Sequence, residues 1–346
     1  MKTEAAILTE LGKPLTLAVL SIPALKPGQA LVEIAFSGVC HTQLLEARGH
    51  RGKDPYLPHC IGHEGSGTVI ETGPGVSRVK AGDSVILSWL KGSGANVAGS
   101  VYDWGSQPVN AGAVTTFQRH AVVSENRLTP LPPDFPRDLA ALIGCAVPTG
   151  FGVVFNAAEA RPGQSIGIFG TGGVGLCAIA AASVAGCFPI VAIDVVDSKL
   201  GTAKRLGATH TINPTSADLV SELKKLVPGG LDIAIDFTGR TQVMAQALDV
   251  VRMQGGTAIV VGNAQNGEKL SFDPFQLNLG KRLLGTWGGD SQPDRDYPTY
   301  CRLLAAGRVD LSPLMGSRYS LEQTNAALDD LEASRAIRPL IDMSIS

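Results

Sequence analysis

Three short stretches carry residue types suited to metal-assisted chemistry. GVCHT supplies Cys40, His41 and Thr42, IGHEGSG supplies His63 and Glu64, and IGCAVPTG supplies Cys145. Two thiolates and one imidazole suit zinc and leave a fourth position open to a reactant. Spacing alone does not decide the matter. The three stretches are far apart in the chain, and a single cysteine or histidine is more often a core residue than a ligand. Their glycine surroundings favour the metal reading.

A second constellation lies in SIGIFGTGGVGLCAIAAA, where Gly170, Gly172 and Gly175 form G-x-G-x-x-G. The pattern by itself is weak. Here it follows an apolar strand and opens a helix, and Asp194 ends the next strand at about the ~20-residue separation of a dinucleotide site. The loop can bring backbone amides to a pyrophosphate at the helix N-terminus. Asp194 can accept hydrogen bonds from a ribose diol and would repel a 2′-phosphate, so NAD is expected over NADP. The plainer alternative, a glycine turn beside a solvated acid, leaves the surrounding strand–loop–helix–strand without a purpose.

The elements around these residues change rhythm along the chain. Residues 1–146 read as short strands between Gly/Pro turns, as in QALVEIAFSGV and GSGTVIETGPGVSRVKAGDSVILS. That is the pattern of a β-rich barrel. Over 147–287 strands alternate with helices: SIGIFG, GVGLCAIAAASVAG, FPIVAID, DSKLGTAKRLGA, LDIAIDFTG, TQVMAQALDVVRM and GTAIVVG. Apolar strands between helices predict a parallel, doubly wound sheet, so the fold class is α/β. The tail offers two helices, DYPTYCRLLAAG and LEQTNAALDDLEAS, and a strand in AIRPLIDM.

Bulk properties narrow the function. The 346 residues are 44% hydrophobic and 17% charged, with a net charge of −2, which argues for two globular domains and against a nucleic-acid surface. Residues 162–193 carry no charge, but the glycine loop and Pro189 interrupt them, so a membrane span is not expected. The N-terminus lacks the apolar core of a signal peptide. Six scattered cysteines without a C-x-x-C pair fit a reducing, cytoplasmic setting.

Taken together, GVCHT, GHEGSGTVIETGPGVSRVKAGDSV, GCAVPTGFG, GTGGVG and IRPLI resemble the zinc-dependent medium-chain alcohol dehydrogenases nearly end to end. The resemblance implies a GroES-like catalytic domain over 1–146, completed by 288–346, and a Rossmann coenzyme domain over 147–287. It implies reversible oxidation of an alcohol to an aldehyde or ketone. On that resemblance Cys40, His63 and Cys145 are ligands of a catalytic zinc. Thr42 hydrogen-bonds the substrate oxygen and receives its proton. Glu64 is the carboxylate behind the metal, able to enter its coordination shell. Gly170, Gly172, Gly173, Val174 and Gly175 form the pyrophosphate loop, and Val261 is a further coenzyme contact. Asp194 and Lys199 meet the ribose, Thr149 packs on the nicotinamide, and His41 and Arg338 meet phosphate. A homodimer or homotetramer is implied. A polyol dehydrogenase of the same fold, or a catalytically silent nucleotide-binding relative, are the alternatives; the complete Cys40–His63–Cys145 set disfavours a zinc-free quinone reductase.

The sequence departs from the family in three places. Gln43 stands where many relatives have an acid supporting the ligand histidine; its amide oxygen is expected to accept that hydrogen bond without a charge. Leu45 stands where many have a histidine ending a proton relay. LKGSGANVAGSVYDWGSQPVNAG, residues 90–112, lacks the four cysteines of a structural zinc, so one catalytic zinc is expected. Tyr102 and Trp104 are expected either to anchor this stretch or to leave it mobile. Cys60, at an aliphatic position of the family pattern beside His59, reads as packing. Cys177, Cys187 and Cys301 read as inert. Trp89, Leu90 and Leu45 hint at an apolar pocket for uncharged alcohols.

Overall fold

The strand Gln29–Gly38 is the spine of the first of two units in the computed structural model, which describes residues 1–345. Its apolar residues fill both sides of the pleat, and it pairs antiparallel with Glu64–Thr72, His120–Ser124 and Leu340–Asp342. Lys2–Leu8, Thr16–Ser21, Val101–Trp104, Gln107–Asn110 and His59–Cys60 close into a barrel. Val32, Ile34, Val85, Leu87, Phe117 and Val123 are among the buried core residues of the first unit. The expected β-rich domain is therefore present.

The second unit begins at Ala146 and holds a six-stranded parallel sheet. The order across the sheet is His210–Ile212, Ile190–Ile193, Ile166–Phe169, Ile233–Asp236, Thr257–Val260, Arg282–Gly285. This is the doubly wound order of a dinucleotide-binding domain, in which the chain starts in the middle and winds outward both ways. The four inner strands are almost wholly buried, which is why they read as uninterrupted apolar runs.

The tail does not all go to the first unit, as 288–346 was expected to. Gln292–Ala305 and the stretch from Met315 do, whereas residues up to Ser291 and Ala306–Leu314 belong to the second. The physical reason is burial: Leu311 and Leu314 are sunk in the second unit, where the turn Ser312–Leu314 packs on the helix Asp197–Arg205.

The stretch without cysteines is anchored. Tyr102 is 1% exposed, and its hydroxyl accepts the Val122 N–H at 2.7 Å. Trp104 packs on the same cluster, which includes Ile7, Leu20 and Val109. Glu125, buried, clamps the preceding residues: Oε1 accepts the N–H groups of Ser77 (2.7 Å) and Arg78 (2.9 Å), and Oε2 accepts that of Ala95 (2.8 Å). Burial opposes the charge, but these backbone donors hold the Glu125 carboxyl below its ordinary range. A depressed folded-state pKa stabilises the fold above the unfolded carboxyl pKa of about 4.3, and that contribution fades as pH falls through the folded value. Glu125→Gln should cost about 1–3 kcal/mol at pH 7. Urea midpoints taken across pH should show the wild type losing this margin below about pH 4 and the variant having none to lose. Equal stability at pH 7 would contradict the clamp.

Candidate active site

Each expected ligand is delivered by a glycine-assisted turn of the first unit. Cys40 follows the strand Gln29–Gly38 and caps the helix His41–Ala47. His63 and Glu64 open the strand Glu64–Thr72, after Gly62 at φ +95°. Cys145 follows the helix Arg137–Leu142. A Cβ on Gly38 would lie 2.6 Å from Glu64 Oε1, and one on Gly144 would lie 2.3 Å from the Leu87 carbonyl oxygen and 2.8 Å from Glu64 Cβ. The glycines beside both cysteines therefore make room for the buried Glu64 side chain. Ser88 Oγ donates to the Gly144 carbonyl at 2.8 Å and shares a 2.6 Å hydrogen bond with Tyr297 Oη, which pins the turn that presents Cys145.

Ligand atoms of Cys40, His63, Glu64 and Cys145 all lie within 4.8 Å of one another. His63 Nε2 is 3.2 Å from Cys145 Sγ, and Thr42 Oγ1 is 3.8 Å from Cys40 Sγ. The Trp89 ring meets His63 edge-on, with centroids 6.5 Å apart. The hydrogen bond with Cys145 pulls the Cys40 thiol well below its usual value against the cost of burial, with help from Arg338 and His63. The same bond, together with burial, raises Cys145. Glu64 is fully buried, and its Oε2 has no hydrogen-bond partner. Two sulfurs, one imidazole and an orphaned carboxylate oxygen converging on one point fit a zinc ion with three or four protein ligands.

Two side chains behave differently from the expectation. Arg338, expected only as a phosphate contact, is 4% exposed and ion-paired with Glu64. Burial pushes the Glu64 carboxyl up and Arg338 draws it back; Glu64 and the two cysteines hold the guanidinium above its ordinary value despite burial. Gln43 is turned the other way. Its Oε1 accepts the Cys40 N–H at 2.9 Å, and its Nε2 faces His63 Nδ1. The Cys40 N–H at the start of a helix needs an acceptor and takes the oxygen. A ligand role for His63 Nε2 calls for the opposite orientation, with the amide oxygen accepting from Nδ1–H.

The remaining cysteines are packing residues, as expected. All are buried and outside any disulfide, and burial pushes the thiols of Cys60 and Cys301 up to about 12 and that of Cys187 to about 11.

In the second unit the glycine loop has the required shape. Gly170 sits at φ +88°, and a Cβ on Gly175 would lie 2.0 Å from the Gly170 carbonyl oxygen. Gly172 caps the twelve-residue helix Gly173–Val184 without a side-chain cap, and a Cβ there would meet nothing within 4 Å. That leaves the first amides and the space before them open to an anion. Asp194 is tied to the loop: Oδ2 accepts from Thr171 N (2.7 Å) and Oγ1 (3.0 Å), and Oδ1 from Val196 N (3.0 Å). Lys199 lies on the following helix and Thr149 on the helix Ala146–Gly152, while the Val261 N–H donates to the Asp236 carbonyl at 2.9 Å. His41 is exposed at the start of its helix in the first unit.

Known proteins resemble this chain along nearly its whole length. Residues 26–133 match the alcohol dehydrogenase GroES-like domain and residues 173–306 the zinc-binding dehydrogenase family. The class-3 alcohol dehydrogenase of Cereibacter sphaeroides is 32% identical over 99% of this chain and 100% of its own length. The solved structure of an alcohol dehydrogenase zinc-binding domain protein from Burkholderia ambifaria is 31% identical, with a TM-score of 0.92 over 99% of each chain. Benzyl alcohol dehydrogenase from Acinetobacter calcoaceticus is also 31% identical, with a TM-score of 0.90 over 99% of each chain. The chain belongs to the zinc-dependent medium-chain alcohol dehydrogenase family. It is a zinc-type oxidoreductase that interconverts alcohols with aldehydes or ketones, and the family implies zinc and NAD as its cofactors.

Proposed function

We propose that this enzyme oxidises uncharged, largely apolar alcohols with NAD, using one catalytic zinc per chain held by Cys40, His63 and Cys145, with Glu64 as an alternate ligand. The convergence of those four ligand atoms within 4.8 Å carries the reading. When bound, zinc supplies Lewis acidity toward the reacting hydroxyl and the nicotinamide supplies the hydride acceptor. Thr42, beside Cys40, takes the hydroxyl proton. Leu45 has no group to pass it on; a bound coenzyme's ribose, with water, would supply the onward path, with His41 as accessory. The Trp89 ring against His63 gives that side of the site an apolar wall, and Leu90 beside it in sequence is buried. Gly170, Gly172, Gly173, Val174 and Gly175 cradle the pyrophosphate. Asp194 and Lys199 would hold the ribose, Thr149 would pack on the nicotinamide, Val261 would be a further coenzyme contact, and Arg338 would add a phosphate contact to its pairing with Glu64. The place of work is the cytoplasm. A panel of primary and secondary alcohols, with nicotinamide absorbance as readout, tests the reading; no turnover with any alcohol by the zinc-loaded enzyme would refute it.

Coenzyme choice rests on Asp194. Two unit charges about 4 Å apart repel by roughly 1–4 kcal/mol between bulk water and a protein surface, so a 2′-phosphate is penalised about tenfold or more. Asp194→Ser should narrow the kcat/KM ratio of NAD to NADP by about that factor. It should also weaken NAD binding, because Thr171 and Val196 lose their acceptor. Equal use of both coenzymes by the wild type would contradict the assignment.

The assembly is a homo-oligomer. The strand Arg282–Gly285 is the open edge of the parallel sheet, with Leu284 42% and the nearby Trp287 76% exposed. An exposed apolar edge is a template for pairing with a second copy. Leu284→Glu should shift the sedimentation of the protein toward a monomer; a wild type already monomeric at micromolar concentration would overturn this.

A further inference from the structure

Glu46, Asp54 and His59 form a second group whose ligand atoms lie within 4.8 Å of one another, drawn from the helix His41–Ala47, a turn and the short strand His59–Cys60. The histidine is 8% exposed and held rigidly. Its Nδ1 lies 2.9 Å from the Cys60 carbonyl oxygen. A carbonyl only accepts, so Nδ1 carries the proton and the second ring nitrogen is free to act as a base or ligand. That Nε2 lies 2.9 Å from Asp54 Oδ2 and 4.0 Å from Glu46 Oε1. Asp54 is fixed in turn, since its Oδ1 accepts the Tyr56 N–H at 2.8 Å. Two electron-pair donors that face each other at 2.9 Å require a proton or a cation between them.

A histidine whose other ring nitrogen donates to a backbone carbonyl is oriented as metal-ligating histidines commonly are. One imidazole and two carboxylates, without sulfur, make a borderline-to-hard donor set that suits Zn²⁺, Co²⁺, Ni²⁺ or Mn²⁺. Side-chain exposures of 13% for Asp54 and 28% for Glu46 leave a way in from solvent and room for water ligands. Burial raises the Glu46 carboxyl and Asp54 adds to that; His59, Arg51 and His63 draw it down by less. A cation would offset that burial.

We propose that Glu46, Asp54 and His59 bind a second, exchangeable divalent transition-metal ion, separate from the Cys40–His63–Cys145 centre. Glu46 lies on the helix that follows Cys40, and His59 lies four residues before His63. An ion there ties together the two segments that deliver catalytic ligands. The site has no thiolate, so its ion is held more loosely than one at the cysteines and is lost on dialysis.

The test uses the full-length, zinc-loaded enzyme, dialysed until only its tight metal remains, and titrated with Co²⁺ in a calorimeter. One equivalent of Co²⁺ per chain is expected to bind. Cobalt at the cysteines would give intense near-ultraviolet charge-transfer absorption, and that absorption is expected to be missing. The bound Co²⁺ should raise Tm. Asp54→Asn, Glu46→Gln and His59→Gln should each weaken Co²⁺ binding at least about tenfold while the cysteine-bound zinc stays in place. These changes fall on three separate segments, so misfolding of one variant leaves the other two to decide, and the wild-type stoichiometry stands without any variant. No saturable Co²⁺ binding, binding undiminished in the correctly folded variants, or cobalt found only at the cysteines would overturn the proposal and leave the Glu46–Asp54–His59 group as a structural hydrogen-bond cluster.

Discussion

Replacing Cys145 by Ser should remove zinc from the enzyme and lower kcat/KM by about a thousandfold or more. Metal polarisation of a reacting oxygen contributes several kcal/mol to barrier lowering, and each 1.36 kcal/mol is a factor of about ten. A neutral serine hydroxyl cannot replace a thiolate as a soft, charged ligand. The loss should be confined to the metal centre. The Cys145 site is built within the first unit, whereas the glycine loop and Asp194 belong to the second, so NAD affinity measured by fluorescence titration should change little. Chelation of the wild type should likewise abolish turnover yet keep most of the secondary structure. The stretch at 91–112 is held by Tyr102 and Glu125 and needs no metal of its own. Near-normal turnover of the zinc-free variant would refute the assignment. Global unfolding on chelation would refute the metal-independent anchor.

The sequence discloses features whose cause is local. Gly170 is legible because only glycine suits its positive φ at the end of a strand. The inner parallel strands are legible because burial on both faces makes them apolar throughout. The edge strand Arg282–Gly285 was not read from KRLLG, because half-exposed edges keep polar residues and lose the apolar run. His210–Ile212 and the helix Leu219–Leu226 escaped because they are short, three and eight residues, too few for a period to stand out. Cys40, His63 and Cys145 were found through glycine-flanked motifs, and the glycines near the two cysteines, Gly38 and Gly144, prove to be residues that admit Glu64. The Gln43 orientation was missed because it depends on the Cys40 N–H, a backbone donor that no side-chain pattern reports. Glu125 gave no signal at all, since its partners are backbone amides at Ser77, Arg78 and Ala95.

The pairing of Arg338 with Glu64 spans 274 residues and was equally invisible, yet it carries the largest expected stability effect. Both side chains are buried, at 4% and 0% exposure, and the pair stands directly behind the cysteines. Arg338→Leu keeps much of the volume and removes the only ion-pair partner found for Glu64 among the described residues. A buried carboxylate stripped of its partner typically costs about 3–5 kcal/mol, and replacing both members with neutral groups recovers much of that loss. The expectation is a fall of about 3–5 kcal/mol in unfolding free energy for Arg338→Leu, with Glu64→Gln/Arg338→Leu lying closer to the wild type than the single variant. Urea denaturation of the zinc-loaded proteins at one fixed pH, with zinc content measured alongside, gives the comparison. A single variant within about 1 kcal/mol of the wild type would show that the pair is marginal. A double variant no more stable than the single would show that the cost lies in lost arginine packing rather than in the stranded charge. NAD affinity of the same zinc-loaded single variant separates the two roles of Arg338. A stability loss with unchanged coenzyme binding assigns it to Glu64 alone; weaker NAD binding that the Glu64→Gln change does not restore assigns it a phosphate as well.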